Sequence, residues 1–108
     1  MNKLMIAFFA LMSTVGGIAL AADAKEGANV FNKTCKNCHG EGGATPNAAI
    51  AKMFGVPIPV LGSPEIQAKS DADIRKVITE GKGKMVAMKS VTGESVDDVI
   101  AYLRTLKK

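Results

Sequence analysis

Cys35, Cys38 and His39 form a C-x-x-C-H pentad, with Lys36 and Asn37 between the thiols. The chemistry this pattern serves is cofactor attachment. Two thiols three positions apart lie about one helical turn from each other. Each can add across one vinyl group of a haem, and the two thioethers then fix the porphyrin against the backbone. The adjacent histidine sets an imidazole nitrogen on the iron. Other chemistries fit less well. A closed zinc site needs four ligands, and the chain has no Cys or His beyond these three. A thioredoxin-like redox pair needs a βαβ setting, which the patterning lacks. A disulfide across two intervening residues would constrain little.

The pentad leaves a second axial position to be filled. His39 is the only histidine, so a bis-histidine site within one chain is excluded. The soft donors that remain beyond the N-terminal segment are Met53, Met85 and Met88. A methionine is more often core filler than a ligand. Met85 stands apart because Gly81 and Gly83 precede it. A glycine-rich loop can bring backbone close to a flat porphyrin and present a side chain to iron. Met88 stays in competition.

The segments around these residues set the context. After Lys3, residues 4–20 carry no charge and are largely apolar, and Ala19-Leu20-Ala21 is an A-x-A cleavage site. Residues 1–21 are expected to be a secretory signal peptide, with Ala22 the first mature residue and a cut before Asp23 the alternative. A retained membrane anchor is the competing reading, since the apolar run is just long enough. Residues 22–108 then make one small domain, too short to bury a generous core. It has no Trp, and its aromatics are Phe31, Phe54 and Tyr102. A buried haem would supply the missing apolar mass. The formal net charge of the whole chain is +4, with Lys3 inside the leader. Two haem propionates would lower it further, so nucleic acid is not an expected partner.

The patterning predicts an all-α chain of about four to five short helices. Asp23 is expected to cap the first, with Glu26 completing a capping box and Gly27, Val30, Phe31 and Thr34 on one face. Gly40, Gly42 and Gly43 read as a flexible loop. Thr45-Pro46 opens a second helix that Gly55 closes. Pro57 and Pro59 make residues 56–62 extended and irregular, and Ser63-Pro64 starts a single turn. Ser70 caps a helix with Ile74, Val77 and Ile78 as its buried stripe and Gly81 as its stop. Thr92 is expected to cap the last helix, with Val96, Val99, Ile100, Leu103 and Leu106 on its apolar face.

Four blocks in this order carry a family resemblance: Cys35–Gly40, Gly55-Val56-Pro57 with Pro59-Val60-Leu61, Ile78–Met85, and Val99–Arg104. The chain resembles class I, mitochondrial-type cytochromes c of the bacterial monohaem kind. The resemblance implies a small cytochrome c fold around one haem c, covalently held through Cys35 and Cys38, with His39 and Met85 on the iron. It implies that the Pro59 carbonyl accepts a hydrogen bond from the second nitrogen of His39, with Pro57 as its rival, and that Leu61 touches the haem. It also implies that Gly27 and Phe31 meet Val99 and Tyr102. The sequence departs from the family at Val86, where proline is usual, and at Met88, where phenylalanine is often found.

The expected function is periplasmic single-electron transfer between redox proteins, membrane oxidoreductases among them, by a monomer soluble after signal cleavage. Lys36, Lys82, Lys84 and Lys89 lie close in sequence to the two ligands and would make a positive rim that steers encounter with acidic partners. The alternative is a haem sensor or enzyme whose sixth site is labile and binds oxygen, nitric oxide or peroxide. A subunit docked permanently in a membrane oxidoreductase would share the carrier's chemistry.

Overall fold

The computed structural model describes residues 21–108. The expected leader, up to residue 20, lies outside the described residues. Six α-helices follow: α1 (Ala24–Thr34), α2 (Lys36–His39), α3 (Ala48–Phe54), α4 (Pro64–Gln67), α5 (Asp71–Glu80) and α6 (Glu94–Thr105). A 3-10 turn spans Glu41–Gly43, and the one extended pairing among these residues is an isolated Lys82–Met85 bridge. The architecture is all-α as expected. The pentad adds a helix to the expected number, because it forms a turn of its own after α1 instead of ending it.

Most helix ends follow local rules. The Asp23 carboxylate accepts from the Lys25 and Glu26 N–H groups. The reciprocal half of the capping box is not formed, because the Asp23 N–H donates to Asp98 on α6 instead. Ser63 and Ser70 cap α4 and α5 through their hydroxyls. α3 is capped by Asn47, not opened at Thr45-Pro46, since the Asn47 side chain reaches the Ala49 and Ile50 N–H groups. α6 starts one residue later than expected. Gly93 takes the N-cap position at φ 57, a conformation threonine would resist, and Thr92 contributes only its carbonyl to the Ser95 N–H.

The core is built by α1 crossing α6. Phe31 is fully buried and meets Tyr102 with ring centroids 5.3 Å apart and planes tilted by 55°. The crossing point is Gly27, where a Cβ would stand 1.9 Å from the Asp98 carbonyl oxygen. Val96, Val99, Ile100 and Leu103 of α6 join Phe31, Leu61, Ile74, Ile78 and Val91 in one cluster. Burying each of these side chains is worth roughly 1.5–3 kcal/mol. The expected face of α6 is therefore borne out, with Leu106 packed at its edge.

A polar node ties the short helices to α6. Gln67 Nε2 donates to the Leu61 and Leu103 carbonyls. Arg104 donates to the Gln67 and Lys69 carbonyls and to Asp71 Oδ1. One guanidinium thus satisfies the free carbonyls at the end of α4 and pairs with the first residue of α5.

Candidate functional site

The pentad turn is positioned from both sides. The Cys35 N–H continues the α1 ladder to the Phe31 carbonyl, and the His39 and Gly40 N–H groups close on Cys35 and Lys36. α2 is therefore hung from the best-buried residue of the core. On its far side, Asn47 donates its backbone N–H to the Cys38 carbonyl and its side-chain amide to the Asn37 carbonyl. The glycines after the histidine form a hydrogen-bonded turn. Gly40 sits at φ 82, and the Gly43 N–H bonds back to its carbonyl. That turn leads to Leu61, whose N–H donates to the Gly43 carbonyl.

Cys35 and Cys38 are free thiols, both half-buried. Burial pushes the Cys35 thiol above its ordinary pKa. A contact with the Thr34 hydroxyl, 3.4 Å from Sγ, partly offsets this, and Cys38 nearby adds to the rise. Burial also pulls His39 below its ordinary value. Its imidazole is therefore neutral at neutral pH and offers a lone pair to a metal without a competing proton. Among the described residues, His39 Nδ1 is the one buried side-chain polar atom with no hydrogen-bond partner. The expected hydrogen bond from His39 to the Pro59 carbonyl is therefore not made. Pro59 is exposed in the irregular stretch 57–60.

Leu61 is buried between Gly43 and the core. Met85 is half-buried at the end of a tight turn in which Lys82 and Met85 exchange both backbone hydrogen bonds, 2.9 and 3.0 Å long. Gly81, at φ 83, lets the chain fold back at this point: a Cβ there would lie 2.7 Å from the Met85 carbonyl oxygen. Met88 is placed differently. Its N–H donates to the Ile78 carbonyl and its side chain packs against the core. Met53 is exposed at the end of α3.

The structure thus joins Cys35, Cys38, His39 and Leu61 through one chain of hydrogen bonds. No hydrogen bond connects the Met85 turn to the pentad among the described residues. Between and around them the chain leaves large apolar side chains in the open: Met53 and Val86 are each 69% exposed, with Phe54 and Val56 less so. This donor set suits a haem. Two thiols, a neutral imidazole, thioethers and uncovered apolar surface match its vinyls, iron and porphyrin faces. Asn47, which holds the pentad from its far side, is absent from the sequence reading, and Thr34, which meets the Cys35 thiol, enters it only as part of a helix face. An Asn before an Ala-rich run is the one signal that would have pointed to Asn47.

Comparison with known proteins also leads to c-type cytochromes. A family model described as cytochrome c oxidase, cbb3-type, subunit III, matches residues 22–103. Cytochrome c6 of Rippkaea orientalis (strain PCC 8801 / RF-1) is 33% identical over 104 residues, covering 93% of this chain and 84% of the relative. The solved structure of the KustC0563 c-type cytochrome is similar with a TM-score of 0.63 at 28% identity, over 76% of this chain and 98% of that one. The family match takes in the pentad, the Met85 turn and nearly all of α6, and the chain therefore belongs to the class I c-type cytochromes.

Proposed function

We propose that this cytochrome is a periplasmic single-electron carrier with one haem c, held by thioethers from Cys35 and Cys38 and ligated by His39 and Met85. The observation that carries the reading is the pentad turn itself: two free thiols and a half-buried, neutral imidazole with a buried, unpartnered Nδ1 on one turn fixed to the core. When bound, haem iron supplies a centre that takes up and returns one electron.

The chain's residues do the rest. α1 and Asn47 hold the thiols and His39 in register. Leu61 and the apolar residues of 53–56 offer surface that excludes water from a porphyrin face. Met85 offers a neutral, soft sulfur, which favours reduced iron and a higher potential than a second imidazole would give. Two observations favour Met85 over Met88. Met88 is already spent in core packing, and Met85 has a separate turn with no other task. Pro59 remains the proposed acceptor for His39 Nδ1 in the haem-loaded protein. Residues 1–21 are proposed to direct export and to be removed.

The test is the intact mass of the exported protein. It should equal the cleaved chain plus one haem, and the haem should survive acid-acetone extraction. A mass of chain alone, or haem lost on extraction, defeats the reading. The description of the matched family favours a second reading, a subunit bound within a membrane oxidoreductase. Sizing of the native protein with and without detergent separates the two.

A further inference from the structure

The described chain begins as an exposed, extended segment held against α6. Ala21 and Ala22 are exposed and outside any helix, and Asp23 is extended before α1 starts at Ala24. The Asp23 N–H donates to Asp98 Oδ1 at 2.8 Å. Ala22 lines a shallow cleft of about 290 Å³ together with Asp71, Arg75, Asp97 and Arg104. The charges here do not cancel. Arg75 pairs with Asp97 and Arg104 with Asp71, while Asp98 has no cationic partner among the described residues. The Asp23 carboxylate is engaged in capping α1. Asp98, the residue that holds the N-terminal segment, thus carries a charge that neither a cation nor a helix cap meets.

We propose that the Ala21–Ala22 peptide bond is the processing site, and that the α-ammonium created there compensates Asp98 and locks the new terminus onto α6. This rests on the reading of residues 1–21 as an export leader. Ala19 and Ala21 are the small residues an export peptidase requires. In the cleavage a water oxygen adds to the Ala21 carbonyl carbon and the C–N bond breaks. Ala21 leaves as a carboxylate, and the Ala22 nitrogen takes up protons to become an ammonium. That nitrogen stands one residue, at most ~3.6 Å of chain, from the one already bonded to Asp98. Before cleavage it is a neutral amide and Asp98 stays uncompensated. After cleavage Asp98 has a cation beside it. The same residue whose carbonyl contacts Gly27 at the α1–α6 crossing then also holds the terminus by charge.

The intact mass of the exported holoprotein locates the terminus, expected at Ala22. Thermal unfolding of that holoprotein, with its α-amine free or selectively acetylated, then tests the pairing. Acetylation should lower the wild-type midpoint by about 2–5 °C. In Asp98→Asn, which keeps an acceptor for the Asp23 N–H and removes only charge, the loss should be small. Equal losses in the two proteins overturn the pairing and leave the export reading intact. A chain that still starts at Met1 overturns the export reading itself, and a terminus at any residue other than Ala22 overturns the cleavage assignment. If Asp98→Asn does not fold, titration of the wild-type α-amine decides. Pairing raises its pKa above about 8, and a value at or below that overturns the proposal.

Discussion

Met85 and Met88 are the same side chain in two environments, and the environments make opposite predictions. Met85→Ala removes the proposed sulfur ligand. It should erase the weak near-infrared sulfur-to-iron band of the oxidised protein, lower the potential and let carbon monoxide bind the reduced form. Met88→Ala should leave the band in place and cost about 2–4 kcal/mol of stability, because it empties space against the core. Visible and near-infrared spectra with an unfolding curve for each variant decide. A reversal of the two outcomes moves the ligand by three residues, and carbon monoxide binding to wild type would favour a sensor. His39 carries a further prediction. Burial holds its folded pKa below the ordinary 6.5, so the folded haem-free chain favours the neutral ring. The contribution of the ring to stability is present above pH 6.5 and is lost as pH falls through the depressed value. An NMR titration of its ring protons should give a midpoint below 6.5. A midpoint at or above that value would mean a solvated ring, at odds with the burial of Nδ1.

At the scale of elements, the α1–α6 crossing decides whether the pentad is held in place. Gly27 permits contact between the helices because it has no Cβ. In Gly27→Ala the new carbon would fall 1.9 Å from backbone oxygen, which cannot move aside as a flexible side chain can. Overpacking of this kind costs about 1–3 kcal/mol or more, against a gain of up to ~1 kcal/mol in helix propensity. The variant should therefore be destabilised by about 2 kcal/mol, read by denaturant unfolding. Ala28, half-buried beside it on the same helix, is the natural control position. An unchanged midpoint in Gly27→Ala would mean that the helices do not meet there. The node at Arg104 acts at the same scale. It joins α4, α5 and α6 by donating to carbonyls that no helix satisfies internally, so it holds the base on which both Leu61 and α5 rest.

For the whole molecule the issue is how charge is distributed. The two ion pairs among the described residues, Arg75–Asp97 and Arg104–Asp71, lie where α5 meets α6. Lys36, Lys82, Lys84 and Lys89 are exposed, flank the pentad and the Met85 turn in sequence, and take part in neither pair. Their charge is available to steer an approaching partner. A Lys82→Glu, Lys84→Glu double variant should react about tenfold more slowly with an anionic oxidant such as hexacyanoferrate at low salt. The difference should largely vanish near ~1 M salt, where the Debye length falls to ~3 Å. Stopped-flow rates across ionic strength measure this. A rate insensitive to both the substitutions and the salt would place electron exit elsewhere on the surface.

Much of this protein is legible in the order of its residues, because much of it depends on neighbours one helical turn away. The pentad points to its cofactor through residue types and spacing within five positions, and the blocks that follow it supply the context. Ser63, Ser70, Gly55 and Gly81 mark helix ends through bonds to residues within a few positions, and the α6 stripe is read from its period. Other features lie beyond such signals. Asp98 accepting from Asp23 spans 75 positions, and Arg104 reaching Lys69 spans 35. Nothing local to Thr92 shows that Gly93 will take the cap, and nothing local to Met88 shows that it will face the core while Met85 does not. The absence of the His39–Pro59 bond is likewise a matter of how the 57–60 stretch sits on the rest of the chain. Short-range bonds are decided by sequence because the partners arrive together. Long-range bonds are decided by the fold, because only packing of α1 and α6 about Phe31 and Gly27 brings their partners within reach.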